Sequence, residues 1–426
     1  MLHLALTVTT MSTLTQSQTS QVTPAAAPPE RIISAPLAWL FGSSFASLTS
    51  FYLLLSVIPR YAADAGAGSV GAGLVTGVLL AGTVAAELAA ASLMRRFRLR
   101  TLTVCGAVLM GIPALALLLS GGRLAVIAAA DLVQGFGFGL STVVMGALTA
   151  RLLPPQRRGE GLGLYGAVDS VPGVIALPLG VWLAGHYGYG VVVLMAAATA
   201  LIPAAVFRWL PGTADPRAAT AGAAAARPPG LLSGLRHDGQ LRLALVFAAT
   251  TVAAGVVVSL LPLAAGASGT VAAAGLLVQA LAATISRWYE GRHGDRHGHA
   301  RLLVPGLVVA AVGMIAMIWL ASPGALIAGM CLFGAGFGIV ENASLVLMIE
   351  HMPASGLGTA SALWNLAYDA GYGAGPIAFG LVAAHTGYPA AFALTGLLMV
   401  AAVPAGWRER RGSRAAGSDR VPSPVS

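Results

Sequence analysis

The stretch GFGFG at residues 135–139 occurs a second time, as GAGFG, at residues 334–338, an offset of 199 residues. Two further pairs stand at the same offset: Pro154 with Pro353, and His186 in GHYGY with His385 in AHTGY. Three matches at one offset are hard to obtain by chance, and self-similarity at a fixed period indicates a duplicated unit. The sequence therefore predicts two copies of one structural unit in the same orientation.

The composition indicates that this unit lies in a membrane. The chain has 426 residues, of which 57% are hydrophobic and 9% charged, and its mean hydropathy is +0.81. A soluble domain carries about 25% charged residues, so these charges are too few to cover a water-facing surface. The apolar residues come in runs of about 20 or more, the length of a helix that crosses the hydrocarbon core. We therefore predict an all-α polytopic membrane protein.

Twelve membrane-spanning helices are predicted, six on each side of a segment rich in Pro, Ala and Gly that has the composition of a linker. The predicted spans are 35–59, 70–94, 101–120, 124–150, 162–184, 190–210, 241–265, 268–289, 302–320, 324–349, 356–384 and 389–407. The predicted division is a disordered cytoplasmic tail over 1–34, an N-terminal bundle over 35–210, the linker over 211–240, a C-terminal bundle over 241–407 and a second cytoplasmic tail over 408–426.

The arginines predict the orientation of these spans. All 24 basic residues are arginine, and they lie in short clusters between apolar runs. With both termini inside, 22 of the 24 fall on cytoplasmic segments, and only Arg60 and Arg123 fall outside. Because basic residues accumulate on the cytoplasmic side, we predict a multi-pass protein of the cell membrane with both termini cytoplasmic. The same clustering argues against nucleic acid as a partner, although the formal net charge is +9.

Two six-helix halves joined by a cytoplasmic linker resemble the major facilitator superfamily of secondary transporters. Residues 290–301, EGRHGDRHGHAR, are similar to that family's loop motif G-x-x-x-D-R-x-G-x-x-R between helices eight and nine. The residues that match the motif are Gly291, Asp295, Arg296, Gly298 and Arg301. The resemblance implies two pseudo-symmetric bundles and a gating role for this loop, whereas an ordinary positively charged cytoplasmic loop is the alternative interpretation.

Within this loop, the resemblance implies that Asp295 faces the start of the fifth helix near Gly161. A carboxylate is stabilised at the positive N-terminal end of a helix. The equivalent loop of the first half, SLMRRFRLR, has Arg95 in place of the aspartate. Because a cation is not stabilised at a helix N-terminus, we expect an asymmetric gate whose working part lies in the second half.

The loop also holds three histidines, His293, His297 and His299, whose spacing is compatible with a metal site. They fall on the variable positions of the family motif. We therefore favour a loop without a bound metal and predict no cofactor.

Five carboxyl groups lie inside predicted spans, and no arginine is placed well inside one. A charge at mid-membrane costs about 2.5–3.5 kcal/mol, so such side chains face a cavity or a partner. A carboxylate binds either a proton or a cation, which predicts competition between protons and a cationic substrate; a structural, hydrogen-bonded acid is the alternative for each. None lies in helices three, six, nine or twelve, which the resemblance implies are the outer supports. The five acids are Glu87, Asp131, Asp169, Glu341 and Asp369.

Helix four begins its polar stretch with DLVQG, where the proton-coupled exporter branch of the family usually has R-x-x-Q-G. Gln134 fits this resemblance, whereas Asp131 replaces the arginine and favours a cationic substrate or a displaced proton site. Helical spacing predicts one cavity wall made of Asp131, Gln134, Phe138, Ser141 and Met145.

Helix eleven carries aromatic residues next to an acid. Trp364 and Tyr368 lie one turn apart, as do Asn365 and Asp369. Aromatic rings beside a carboxylate favour binding of an organic cation, and ordinary packing is the alternative. The same helix carries small residues and a proline that permit close helix packing and a bend, for which we predict a conformational role: Gly371, Gly375 and Pro376.

Together these features predict a secondary exporter of small cationic or amphipathic molecules, working by alternating access in exchange for protons, as a monomer in contact with membrane lipids. Proton-coupled uptake of a polar nutrient is the alternative, although helices one and seven offer few hydrogen-bonding side chains for it. A non-transporting sensor is a distant alternative because tails and linker are short. We predict no enzyme, since the histidines lie in loops or tails and the acids on separate helices.

Overall fold

The structure, a computed structural model, describes residues 34–153, 158–209, 234–236, 239–264, 269–352 and 357–418. In these ranges it contains twelve helices of at least 17 residues. We number them α1 (Ala35–Leu55), α2 (Gly68–Arg96), α3 (Leu99–Ala116), α4 (Leu124–Leu152), α5 (Arg158–Tyr187), α6 (Tyr189–Trp209), α7 (Gln240–Ala264), α8 (Gly269–His297), α9 (Ala300–Ala316), α10 (Pro323–Glu350), α11 (Leu357–Thr386) and α12 (Tyr388–Ser418).

The predicted division of the chain is only partly covered by these ranges. The N-terminal tail up to residue 33 and most of the linker lie outside the described residues, as do Pro154 and Pro353. Helix α12 continues to Ser418, beyond the predicted end of the C-terminal bundle at residue 407. Helix α8 likewise runs past its predicted end at residue 289 and stops at His297.

Most of these helices have the length and composition of membrane spans. Ten segments of the described chain are long and apolar enough to cross a membrane, and the first, Ala35–Ala90, includes α1 and most of α2. Helix α11 is not among the ten. Its polar residues explain this, because several of them face the space between the two halves rather than lipid.

The repeated glycine motif holds α4 and α10 against their neighbours. A Cβ atom added at Gly135 would overlap the backbone oxygen of Leu79 on α2. In the other half, a Cβ atom at Gly334 would overlap the backbone oxygen of Gln279 on α8. Only glycine permits this closeness between two helix backbones. The repeat in the sequence therefore reflects one backbone contact that occurs twice.

Helix boundaries repeat with the same period. Helices α10, α11 and α12 begin 199 residues after α4, α5 and α6. Both α5 and α11 are followed by a glycine with positive φ, Gly188 at +82° and Gly387 at +80°, a conformation that ends helices and favours glycine. The predicted duplication of a six-helix unit is confirmed.

The two halves meet through α2 against α11 and through α5 against α8. We call the side at which α1 begins and α12 ends the terminal face, and the other side the opposite face. Near the opposite face the halves are in direct contact, and we call this contact the seam. Gly73 of α2 lies so close to α11 that a Cβ atom there would overlap the backbone oxygen of Pro376.

Polar groups also join the halves at the seam. The Ser69 hydroxyl donates to the backbone oxygen of Gly380 at 3.0 Å, and the Thr76 hydroxyl donates to Ser259 Oγ at 3.0 Å. A short helix over Ile58–Ala62, between α1 and α2, contributes Arg60, whose guanidinium donates to the Pro262 carbonyl at 3.1 Å. The opposite face is therefore closed in this structure.

Candidate functional site

A cavity of about 1100 Å³ lies between the two halves. Its described lining residues come from α1, α2, α4, α5, α7, α8, α10 and α11. The lining reaches Ala147 near the end of α4 and Thr359 near the start of α11, both close to the terminal face. Because the seam closes the opposite face, the cavity opens toward the terminal face.

Seven of the nine predicted substrate or proton-binding residues line this cavity. Four are acids from different helices, and the others lie on α11 beside one of those acids. An acid inside an apolar span therefore located the cavity correctly in four of five cases. The seven residues are Glu87, Asp169, Glu341, Asp369, Trp364, Asn365 and Tyr368.

The Glu87 and Asp369 carboxyl groups lie close enough to interact with each other. Glu87 belongs to α2 in the first half and Asp369 to α11 in the second, so this contact crosses between the halves. A carboxylate can only accept a hydrogen bond, so a hydrogen bond between the two groups requires a proton on one of them. Two neighbouring carboxyl groups of this kind are suited to hold one proton between them.

Glu341 differs from this pair because an arginine neutralises it. The Arg287 guanidinium on α8 donates to Glu341 Oε2 at 2.5 Å and to Ser170 Oγ at 3.5 Å. The prediction that no arginine lies well inside a span is therefore wrong for the Arg287 side chain. Arg287 is near the predicted end of helix eight, and its long side chain reaches back toward mid-membrane while its backbone lies closer to the surface.

Asp169 is held by hydroxyl groups instead. Ser44 Oγ of α1 donates to Asp169 Oδ1 at 2.8 Å, and the Tyr165 hydroxyl lies near the same carboxyl group. The Ser44 and Tyr165 hydroxyl oxygens are themselves 3.1 Å apart. Hydroxyl donors stabilise a carboxylate without cancelling its charge, so this wall of the cavity remains attractive to cations.

Aromatic rings cover the cavity beside these acids. On α11, the Tyr368 and Tyr372 rings are stacked with centroids 5.5 Å apart. Trp364 stacks on Phe247 at 4.7 Å and donates its indole N–H to Ser344 Oγ at 3.1 Å. Tyr52 of α1 lines the same space from the first half. These aromatic side chains therefore pack against one another and also line the cavity.

Asp131 and Gln134 do not line the cavity, and the predicted wall on α4 is wrong. Of that stripe only Phe138 borders the cavity. Asp131 and Gln134 lie nearer the opposite face, in a small separate pocket between α1, α2 and α4. Helical spacing identified residues on one side of α4 but gave no information about the depth at which the cavity ends. Their predicted roles in binding stay predictions.

The last turns of α8, the turn at Gly298 and the start of α9 contain five of the eight predicted gating residues. Gly298 has φ +90° and its N–H donates to the Gly294 carbonyl at 2.7 Å, which ends the helix. The Asp295 side chain is 78% exposed and lies 3.4 Å from His299 Nε2. Its expected partner is the start of α5 near Gly161. The side-chain contacts of that segment lie outside the described part of the structure.

The last turns of α8 also contain a buried acid that the sequence reasoning missed. The Glu290 side chain is fully buried, with its Oε1 2.8 Å from His299 Nδ1. The Asn342 amide of α10 donates to the other carboxyl oxygen. A Cβ atom at Gly294 would overlap the His299 ring. A signal was present in the sequence, since the motif has an additional glycine, Gly294, between Gly291 and Asp295, but Glu290 was placed in the loop that follows the predicted end of helix eight at residue 289.

The other predicted gating residues contribute to packing or lie at the surface. Gly371 and Gly375 of α11 would, with a Cβ atom, overlap Thr251 Oγ1 and the Val252 backbone oxygen of α7. Pro376 lies at the seam opposite Gly73. Three residues at the terminal end of α8 and the start of α9 remain predicted gating residues: Gly291, Arg296 and Arg301. Within the described ranges no cluster of three His, Cys, Asp or Glu side chains is suited to a metal ion.

A second buried acid with a histidine partner lies at the terminal face. Glu409 of α12 is 3.0 Å from His351 Nε2 and 3.2 Å from the Arg242 guanidinium. Its side chain is 3% exposed. The hydrogen bond to Glu409 raises the pKa of the His351 imidazole. This cluster holds together α7, α10 and α12 at the terminal face.

Comparison with known proteins gives the same architecture. A family model described as Major Facilitator Superfamily matches residues 40–376 and 265–423. The crystal structure of the nucleoside transporter NupG covers 87% of this chain and 98% of its own, with a TM-score of 0.70 and 13% identity. That of a D-xylose–proton symporter covers 88% and 97%, with a TM-score of 0.70 and 17% identity. Such low identities show the fold alone.

One curated relative is an export protein. A 126-residue segment, 30% of this chain, is 30% identical to the tetracenomycin C resistance and export protein of Streptomyces glaucescens. The match spans 23% of that protein's length, about a quarter.

Proposed function

This chain belongs to the major facilitator superfamily, a family of multi-pass membrane transporters, and we propose that it exports small organic cations or cationic amphipathic molecules in exchange for protons. It binds a small-molecule substrate in the cavity between its halves. The observation that carries the proposal is the Glu87–Asp369 pair, in which two carboxyl groups from different halves lie next to each other at the cavity wall.

The charge of the cavity favours a cationic substrate. Four carboxyl groups line it against one described guanidinium, that of Arg287, which is already bound to Glu341. Asp169 and the Glu87–Asp369 pair remain without an arginine partner among the described residues. A cation entering this space gains attraction to those groups, whereas an anion meets repulsion.

Competition between the proton and the cation for the Glu87–Asp369 pair couples the transport of one to that of the other. A cation that approaches Glu87 and Asp369 is bound more strongly when the pair has lost its proton, and a proton binds more strongly when the cation is absent. One site that holds either ligand but not both exchanges them during alternating access. The aromatic rings of Tyr368 and Trp364 add cation–π attraction on the same side of the cavity.

The face to which the cavity opens supports export. The arginine distribution predicts that the terminal face is cytoplasmic, so the open cavity would receive its substrate from the cytoplasm. The partial similarity to an export protein supports the same direction. Under this proposal the protein works as a monomer in the cell membrane, and the arginines at the terminal face contact lipid headgroups.

The uptake alternative has less support from the lining of the cavity. Helix α7 contributes only Ala254 and Val258 to the lining, and α1 contributes Leu48 and Tyr52. A sugar or nucleoside needs several hydrogen-bonding side chains around it, because its hydroxyl groups lose water on binding. The apolar contributions of these two helices favour an aromatic or amphipathic cation.

Transport by purified protein in liposomes tests the proposal. Vesicles with an acidic lumen are expected to take up ethidium and radiolabelled tetraethylammonium through inside-out molecules, with release of lumenal protons. Glu87→Gln and Asp369→Asn are expected to lose gradient-driven uptake, since an amide does not exchange protons. Glu350→Gln, which removes a carboxyl group outside the cavity, is the matched control.

The uptake alternative is tested in the same vesicles with uridine and xylose. Gradient-driven transport of either, together with no transport of the two cations, would favour nutrient uptake. Cation transport that ignores the pH gradient, or that persists at wild-type rates in both carboxyl variants, would rule out the proposed exchange.

A further inference from the structure

The pocket that contains Asp131 and Gln134 is separate from the substrate cavity. Asp131 is 2% exposed and Gln134 is fully buried. Asp131 lies seven residues after the start of α4, about 10 Å along the helix from the opposite face. The remaining walls are apolar or hydroxyl-bearing side chains of α1, the short helix and α2: Leu54, Leu55, Ile58, Pro59, Thr76 and Leu79.

This pocket leaves its polar groups without compensation. Among its described lining residues Asp131 is the only ionisable one, so no cation and no second acid faces it from α1, α2 or α4. The side-chain nitrogen and oxygen of Gln134 have no hydrogen-bond partner. Burying an unpaired carboxylate costs far more than burying a neutral carboxylic acid. In the closed pocket Asp131 is therefore compatible with its neutral form and not with its ionised form.

The occupant suited to this pocket is a proton. The side chains leave no room for a water molecule, and a hydrated or dehydrated metal ion needs several oxygen ligands around it. A proton requires neither space nor additional ligands.

The pocket shares its walls with the seam. Thr76 lines the pocket and donates to Ser259 of the other half at 3.0 Å. Pro59 also lines it, and the next residue, Arg60, donates to the Pro262 carbonyl at 3.1 Å. Separation of the halves at the opposite face would move these walls away from α7 and give water from that face a path to Asp131 and Gln134. A buried amide without partners then gains them.

We propose that Asp131 is a proton-binding site distinct from the transport site, through which the pH at the opposite face controls closure of the seam. The inference rests on the alternating access of the proposed function. On closing, Asp131 takes one proton from water at the opposite face and is sealed as the neutral acid. On opening, it returns that proton to the same face, and Gln134 donates a hydrogen bond to the carboxylate. No proton crosses the membrane through this site.

This assignment makes a prediction about conformation that needs no substrate. Because closure binds a proton, acid at the opposite face favours the closed seam and alkali favours the open one. Spin labels at Ala65 and Thr386, at the opposite-face ends of the two halves, report the separation in a background in which Cys105 and Cys331 are replaced by alanine. The labels are measured in membrane vesicles while the pH is changed only at the opposite face.

The expected result is a growing population of long distances as the pH rises in the protein with Asp131, and loss of this response in Asp131→Asn. Glu350→Gln is the matched control and keeps the response. A response that persists unchanged in Asp131→Asn, or that is absent from the parent protein, overturns the proposal. A response to sodium at constant pH would identify a metal ion as the ligand instead of a proton.

Two further measurements separate this proposal from the proposed function and from misfolding. The number of protons exchanged per ethidium is expected to be unchanged in Asp131→Asn; a decrease contradicts the assignment. If ethidium is not transported at all, the exchange proposal fails, while the distance measurement still tests the role of Asp131.

If Asp131→Asn does not fold, Gln134→Leu replaces it. Opening of the seam in Gln134→Leu is expected to need more alkaline buffer, and an unshifted response overturns the proposal.

Discussion

Helix α4 of the first half and helix α10 of the second share a glycine motif but carry their polar side chains at opposite ends. At the offset of 199 residues, Asp131 and Gln134 of α4 correspond to Met330 and Phe333 of α10, both fully buried. Toward the terminal face the relation is reversed, because Glu341 and Asn342 of α10 correspond to Thr142 and Val143 of α4.

This difference separates what the duplication preserved from what it did not. The glycines are fixed by contacts between helix backbones, which are the same in both halves. The side chains beside these glycines differ, because each half places its polar groups near a different face of the membrane. The first half carries a closed acid near the opposite face, whereas the second half carries ion pairs and buried acids near the terminal face.

The largest expected effect tests whether the glycine framework is equivalent in the two halves. Gly135→Ala and Gly334→Ala are each expected to lower the free energy of unfolding by on the order of 3 kcal/mol, because the added Cβ forces two backbones apart. Gly42→Ala is the control, since nothing lies within 4 Å of its Cβ position. The measurement is reversible unfolding in detergent. A large effect in one half alone would contradict an equivalent framework.

A smaller effect is expected at the two acids that have partners in the cavity. Arg287→Leu is expected to cost about 2 kcal/mol, because it leaves the Glu341 carboxylate without its charged donor. Ser44→Ala, which removes a neutral donor from Asp169, is expected to cost about 1 kcal/mol. Unfolding of Arg287→Leu, Glu341→Leu and the double variant gives the interaction energy of this pair, and Ser44→Ala is measured beside them. Equal costs for Arg287→Leu and Ser44→Ala would remove this distinction between the halves.

The buried acid at the terminal face of the second half sharpens the comparison further. Glu290→Ala is expected to lower the free energy of unfolding by about 1–2 kcal/mol, since His299 and Asn342 lose their buried acceptor. Arg95→Ala, in the corresponding loop of the first half, is expected to have an effect below about 0.5 kcal/mol. Amide hydrogen exchange of α8 and α2 locates the two effects. Similar protection losses in both halves would contradict an asymmetric terminal face.

The smallest expected effect is a pH dependence of stability at His351. Its pKa is raised in the folded protein by the hydrogen bond with Glu409, so this contribution is fully present below the unfolded pKa and is lost as pH rises through the folded pKa. The difference in melting temperature between the wild type and His351→Gln is therefore expected to shrink from acid to alkaline buffer. Glu409→Gln is expected to abolish that trend, and a constant difference would contradict the assignment.

The sequence was sufficient for the architecture because its signals are local or periodic. Apolar runs gave the twelve helices, and the motif at Gly135 and Gly334 gave the duplication. It was also sufficient for Glu87, Asp169, Glu341 and Asp369, because a carboxyl group within an apolar run has no stable position against lipid.

The features that the sequence did not predict depend on how deep a residue lies in the membrane and on how far a long side chain reaches. Helical periodicity gives neither. Arg287 was assigned to the membrane surface from the position of its backbone, although its guanidinium extends to Glu341. Asp131 was assigned to the cavity because it shares a helix face with Phe138, yet the cavity ends at Phe138. Glu290 was overlooked because its partner His299 lies beyond the turn at Gly298.

The bare backbone of Gly73 at the seam has a kinetic consequence. Where two helices touch without a side chain, no rotamers need to be exchanged before they part or after they return. The activation barrier for switching then comes mainly from a few polar links, such as that between Thr76 and Ser259. Substitutions at those polar links are therefore expected to change the rate of switching, whereas the glycine contact at Gly73 adds little to the barrier.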